Sequence, residues 1–209
     1  MLSAVLVAAL VLRAKGKTPA ATTARLAELQ ARIRPHFLFN TLNSAIALVR
    51  AEPPKAERLL EDLSDLFRHA LMEHGESVSL AQELELAQRY LAIEQVRFGE
   101  RIRVQWVIDK AANTARLPPL ILQPLVENAV KHGVEPSAEG ADIKVSTERR
   151  GSRVVIKVSN TLPVAQSVAG SGVALDNVRE RLSLLHDVQA NFQSGSHNSI
   201  FQVRLELPV

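Results

Sequence analysis

A chain of 209 residues, 46% hydrophobic and 22% charged, has the make-up of a folded globular protein with room for one large domain or two small ones. Its 25 basic and 22 acidic side chains give a net charge of +3 spread along the chain, with no basic run backed by aromatics, so no direct nucleic-acid partner is expected. The absence of cysteine excludes disulfides, thiolate nucleophiles and cysteine-ligated zinc, and leaves chemistry to histidine, carboxylates, amides and backbone.

The first stretch, MLSAVLVAALVL, is unbroken apolar or small and is followed by Arg13, Lys15 and Lys17. It is shorter than the roughly 20 residues a spanning helix needs, and its charge follows rather than precedes it, unlike a signal peptide. It reads as the tail of a transmembrane segment with its cytoplasmic flank, or as a buried or interfacial helix. From Leu26 through Ile46, apolar residues at helical spacing predict one long helix running through RPHFLFNTLN, with Pro35 disturbing it just before His36. Pro53 and Pro54 end that helix and open the next, which carries Leu59, Leu60, Leu63, Leu66, Phe67 and Leu71. The resulting antiparallel hairpin has more apolar surface than two helices can cover, which predicts a dimer.

A third helix is predicted from a cap at Ser77 or Ser79 to Gly99. Its acidic residues Glu83, Glu85 and Glu94 read as a solvated face. Beyond Gly99 the period changes to two. RIRVQWVI and FQVRLEL alternate as half-buried strands, DIKVSTE and RVVIKVS form a hairpin about Gly151 and Ser152, and PLILQPLVENAVKHG and ALDNVRERLSLLHD are helical. The C-terminal half is therefore a sheet with helices packed on it. No internal repeat or low-complexity segment is present.

Two clusters carry chemical potential. In QPLVENAVKHGV, Glu127, Asn128, Lys131 and His132 fall on adjacent turns of one helix. Amide and carboxylate oxygens there could hold Mg²⁺ while the lysine meets phosphate; alternatively the group is a solvated face at a helix end with Gly133 as its stop. Gly170 and Gly172 precede a helix starting near Ala174, which would present backbone amides to phosphate or be an ordinary loop. His69, His74, His186 and His197 show no metal-ligand spacing and read as surface or capping residues, His197 in a loop.

RPHFLFNTLNS, YLAIEQVRFGERI, LPPLILQPLVENAVKHGV and GSGVALDNVRERLSLL, in this order and spacing, resemble the LytS/YehU-type sensor histidine kinases, and within them the AlgZ (FimS)-like sensors. The resemblance covers nearly everything from Leu26 to Val209. It implies an α+β chain in three parts: residues 1–17, a remnant of a transmembrane helix with its linker; 18–98, a dimeric helical hairpin for histidine phosphotransfer; and 99–209, an ATP-binding two-layer α/β sandwich of the Bergerat type, its mixed sheet covered by helices. His36 then corresponds to the phosphoacceptor, and Asn40, one turn on, to the residue that orients water when the regulator is dephosphorylated. Asn128 resembles the Mg²⁺-binding asparagine and Glu127 its metal or water-activating partner. Lys131 and His132 fall on the phosphate side, and Gly170 and Gly172 match the lid glycines, with Asn177 and Arg181 on the next helix. The implied cofactors are ATP and Mg²⁺. The implied partners are a second copy of the chain and a response regulator of the LytTR type. The implied location is the bacterial inner membrane, held by the N-terminal helix, with this portion facing the cytoplasm.

The chain departs from the family pattern at three points. Phe37 stands where better-known kinases have an acid beside the histidine, Ala174 replaces a lid glycine, and VSNTLP offers Asn160 in place of the D-x-G-x-G aspartate that accepts from the adenine amino group. A neutral acceptor is weaker than a charged one, which points to weakened nucleotide binding. Two functions follow: a working kinase, or a degenerate one that acts by docking its regulator or as a phosphatase through Asn40.

Overall fold

The computed structural model describes residues 35–71, 76–163 and 173–209. The N-terminal apolar run, the part of the first predicted helix before Pro35, His74 and the glycines Gly170 and Gly172 lie outside the described residues. No helix among the described residues is long and apolar enough to cross a membrane.

Helix α1 is described over Pro35–Ala51. Only Glu52 separates it from α2 (Pro53–Leu71), so the paired prolines act as the sequence predicts. Phe37, Thr41 and Ala45 of α1 pack against Ala56, Leu59, Leu63 and Leu66 of α2 and are buried with them. A second apolar stripe on α1 points the other way. Phe39, Leu42, Ile46 and Val49 are all exposed, Ile46 at 71%.

A short strand β1 (Val78–Ser79) leads into α3 (Leu80–Phe98). Ser79 is the N-cap: its hydroxyl accepts from the Gln82 N–H, while Gln82 Oε1 accepts from the Ser79 N–H at 2.9 Å. This reciprocal box, with Gly99 closing the C-terminus, places the helix where its sequence signals put it. Arg89 ties α3 to α2 through Asp65 (2.7 Å) and Asp62 (3.4 Å).

β2 (Ile102–Ile108) follows, then β3 (Arg116–Leu117), which pairs only with β1, and α4 (Leu122–Ala129), which widens into a π-helical turn at Val130–Val134. β4 (Ala141–Arg150) and β5 (Arg153–Thr161) form the expected hairpin about Gly151 and Ser152. After α5 (Val173–His186) come β6 (Asn191–His197) and β7 (Ile200–Pro208). The main sheet runs β2-β4-β5-β7-β6, parallel between β2 and β4 and antiparallel elsewhere.

Alternation along β4 buries Ala141, Ile143, Val145 and Thr147, and along β7 buries Val203, Leu205 and Leu207, so one face of the sheet meets the helices. The chain is thus α+β, helices on a mixed sheet, with one continuous apolar core from Phe37 to Leu207. β6 is an addition to the sequence reading. Its residues NFQSGSH carry no alternation and are largely exposed on a sheet edge, and His197 ends this strand instead of lying in a loop. Asn198 and Ser199, at φ 49° and 59°, make the two-residue turn into β7.

Candidate functional site

His36 of α1 is solvent-facing, which argues against a packing role for the ring. Asn40 lies one turn later, and its Nδ2 donates toward the imidazole from 3.2 Å to each of Nδ1 and Nε2. The next residue points inward. Phe37 is buried and stacks on Tyr90 of α3, ring centroids 5.0 Å apart. Tyr90 in turn donates its hydroxyl to Glu94 Oε1 at 3.4 Å. Thr41 Oγ1 donates to the Phe37 carbonyl at 2.9 Å and fixes the same turn. Phe37 therefore serves as an anchor that holds the histidine outward while its own ring sits in the core.

The second cluster lies on α4 and the π-turn. Leu122, Leu125, Val126, Ala129 and Val130 bury one face, and the opposite face carries Glu127 and Asn128 half-buried and Lys131 exposed, with His132 half-buried beyond them. Glu127 Oε1 accepts from Gln123 Nε2 at 2.9 Å. The Asn128 side-chain amide makes no hydrogen bond to another described residue. The alternative reading of this cluster makes Gly133 a helix stop, but the turn continues through it and Glu135 N–H donates to Val130 O at 3.0 Å, the wider π spacing. Gly133 is needed for contact instead. A β-carbon there would stand 2.8 Å from Asn160 Nδ2 and 3.0 Å from the Thr161 carbonyl.

Asn160 is buried near the end of β5 and donates Nδ2 to the Thr161 carbonyl at 2.9 Å. The π-turn and Asn160, which the sequence resemblance matches to the adenine loop, thus share a wall. Beside them, a groove lined by Arg103, Ser137, Glu139, Gly140, Thr161 and Pro163 opens at the sheet end where β2 and β4 begin. Arg101 holds the loop that borders it, donating Nη2 to Val134 O at 3.1 Å and to Ser137 O at 2.6 Å.

On α5, Asn177 is exposed, whereas Arg181 turns toward the opposite end of α4. Its guanidinium donates to the carbonyls of Pro119 and Leu120, the latter at 3.3 Å.

Two functional groups escape the sequence reading. Glu83 and Glu94 are not part of a solvated face: both are buried, and only Glu85 is exposed, paired with Arg89 at 3.1 Å. The signal was their position, since residues 83, 87, 90 and 94 form one stripe that also carries Ala87 and Tyr90. Glu83 accepts N–H bonds from Leu120 (2.7 Å), Ile121 (2.7 Å) and Leu122 (2.9 Å), and so caps α4 from a distant helix. Burial raises its pKa against the pull of those three amides. Burial also pushes Glu94 up to about 7, opposed by Arg97 at 3.3 Å.

The family model described as Histidine kinase matches residues 24–102, the segment that carries His36, the hairpin and α3. This segment belongs to the histidine kinase family. The chain is 34% identical over 199 residues to the sensor protein LytS of Staphylococcus saprophyticus subsp. saprophyticus, across 88% of this chain and 34% of LytS. It is 35% identical over 162 residues to the sensor histidine kinase BtsS of Escherichia coli (strain K12), across 77% of this chain and 29% of BtsS. It therefore spans about a third of the length of these relatives. Among solved structures, the histidine kinase domain of the Erythrobacter litoralis EL346 blue-light activated histidine kinase aligns over 88% of this chain and 92% of its own at 16% identity. The TM-score of this alignment is 0.48.

Proposed function

We propose that this chain is the core of a two-component sensor histidine kinase: ATP phosphorylates His36, and the phosphoryl group then passes to an aspartate of a response regulator. The observation that carries the reading is His36 itself, solvent-facing beside the Asn40 amide while its neighbour Phe37 is clamped against Tyr90. A nucleophile that must meet a nucleotide and later a second protein has to be exposed but held.

In the reaction, an unprotonated imidazole nitrogen of His36 forms a bond to the γ-phosphorus, the bond to the β,γ-bridging oxygen breaks, and ADP leaves with that electron pair. The donor set fits Mg²⁺ shared with nucleotide phosphates: Asn128 offers an amide oxygen and Glu127 a carboxylate. Among the described residues no cluster of three or more His, Cys, Asp or Glu forms an all-protein cage. Mg²⁺, when bound, supplies neutralisation of phosphate charge. Lys131 and His132 would meet the phosphates and Asn160 the base, while Gly170 and Gly172, which match the lid glycines in sequence, and Asn177 complete the proposed nucleotide-binding set. Asn40 orients water for the reverse, dephosphorylating activity on the regulator.

The division into a linker (1–17), a phosphotransfer hairpin (18–98) and an ATP-binding part (99–209) belongs to the same proposal. So do a homodimer through the exposed face of α1, a LytTR-type regulator, and attachment to the bacterial inner membrane through the N-terminal run with this portion in the cytoplasm.

A second reading has its own support. Asn160 replaces the adenine-binding acid and its amide nitrogen is engaged with Thr161, which favours a module that binds or dephosphorylates its regulator without turning over ATP. Incubation with γ-labelled ATP and Mg²⁺ separates the two. Acid-labile label on the native chain, absent from His36→Gln and Asn128→Ala, is the expected result. A folded native chain that takes up no label at saturating nucleotide would establish the second reading.

A further inference from the structure

The turn that begins α4 is held from two sides by residues far from it in sequence. Leu120 has φ 58°, a left-handed backbone that a leucine does not adopt by preference. Its N–H is bonded by Glu83 Oε1, on the first turn of α3, and its carbonyl by Arg181 of α5. Glu83 Oε2 takes the next two amides, Ile121 and Leu122, which are orphan donors of the helix start. Ile121, the N-cap residue, makes no side-chain capping bond of its own. The carboxylate and the guanidinium also attract one another electrostatically.

We infer that Glu83 and Arg181 are positioning residues for the asparagine-bearing helix: together they hold the Leu120 peptide in its left-handed state, and thereby fix where α4 starts and where Glu127 and Asn128 stand. Three features support a positioning role over generic packing. Both oxygens of a buried carboxylate are used on consecutive amides, which defines a direction and not merely a contact. The restrained residue is the one in an unfavourable backbone state, so the clamp has work to do. Asn128 lies less than two helical turns from Leu122, so a shift at the start of α4 moves its side chain with little loss. The clamp also joins α5, which follows the segment resembling the lid, to α3, which stacks on Phe37 beside His36. Arg181 is assigned here to the backbone of the turn instead of to nucleotide. The functional consequence rests on the proposed role of Asn128; the structural one does not.

The test compares amide hydrogen exchange and Mg²⁺-ADP affinity in the native chain, Glu83→Gln, Arg181→Gln, Leu120→Gly and the Glu83→Gln/Leu120→Gly double variant. Glu83→Gln should speed exchange at residues 120–129 by about tenfold or more relative to β4 and β5, and weaken Mg²⁺-ADP by a similar factor. Glycine at 120 removes the left-handed penalty, so the double variant should recover part of both losses relative to Glu83→Gln. Should Glu83→Gln not fold, Arg181→Gln gives the same comparison from the carbonyl side. Faster exchange spread evenly over the sheet and helices, or no recovery with Leu120→Gly, would overturn the inference. A native chain that binds no Mg²⁺-ADP defeats the proposed function instead, and the exchange pattern alone then decides the clamp.

Discussion

Gly133 and Asn160 are pressed together, with room between them for hydrogen but not for a methyl group: a β-carbon at 133 would lie 2.8 Å from Asn160 Nδ2. The π-turn that carries His132 is therefore seated directly on Asn160, the strand residue proposed to stand where the family has its adenine-binding acid. Gly133→Ala should cost about 1–3 kcal/mol of stability in urea unfolding, as the turn lifts away from β5. It should also reduce labelling of His36. Gly195, where an added β-carbon meets nothing within 4 Å, is the control, and Gly195→Ala should change stability by less than about 0.5 kcal/mol.

Asn160→Asp tests what the amide does. The native Nδ2 donates to the Thr161 carbonyl, and a carboxylate in the same buried place cannot donate. The variant should lose about 1–3 kcal/mol in the absence of ligand. If this position meets the base, ATP should raise its Tm more than GTP does, because adenine presents an amino donor at position 6 where guanine presents a carbonyl oxygen, which a carboxylate cannot pair with. Equal shifts with both nucleotides would place the base elsewhere.

Glu94 makes stability depend on pH. Its pKa is about 7 in the folded chain against 4.5 ordinarily, so the folded state binds this proton more tightly than the unfolded state. The group's stabilising contribution is complete below about pH 4.5 and is lost as pH rises through about 7. Glu94→Gln keeps an acceptor for Tyr90 and removes the titration. Compared with the native chain, it should gain up to about 3 kcal/mol at pH 8 and nothing near pH 4. Denaturant melts of both chains across that range give the difference curve; a flat difference would contradict the assignment.

Phe39, Leu42, Ile46 and Val49 recur at alternating spacings of three and four along the outer face of α1, the seam pattern of paired helices. Ile46→Glu should convert a dimer to monomer in light scattering at micromolar concentration. Leu184, also exposed at 81% but on α5, should tolerate the same change without altering mass.

Much of this architecture was legible because local chemistry dictated it. Pro53 and Pro54 could only interrupt a helix, the Ser79 and Gln82 pair could only open one, and strict alternation marked β7. Of the candidate site, the one-turn offset of His36 and Asn40 and the grouping of the α4 cluster follow from the sequence, whereas their proposed roles come from the family resemblance. What stayed hidden depends on partners distant in sequence. Nothing near Glu83 announces that its acceptors are filled by residues 120–122, so it looked like any surface carboxylate. The left-handed Leu120 and the π spacing after Ala129 are imposed by packing against local preference. β6 hid for the opposite reason, since an exposed edge strand needs no apolar alternation.

The capping of α4 by α3 also says where this molecule can bend. On its sheet side, α3 is joined by three charge-assisted bonds from a buried carboxylate, which tolerate almost no displacement. On its hairpin side it meets α2 and α1 through apolar surfaces, a stacked ring pair and partly exposed ion pairs, all of which can slide and re-form. Although α3 is continuous in sequence with the hairpin, it is mechanically part of the sheet. The stiffer of its two junctions is thus the one to α4, set by the Glu83 carboxylate.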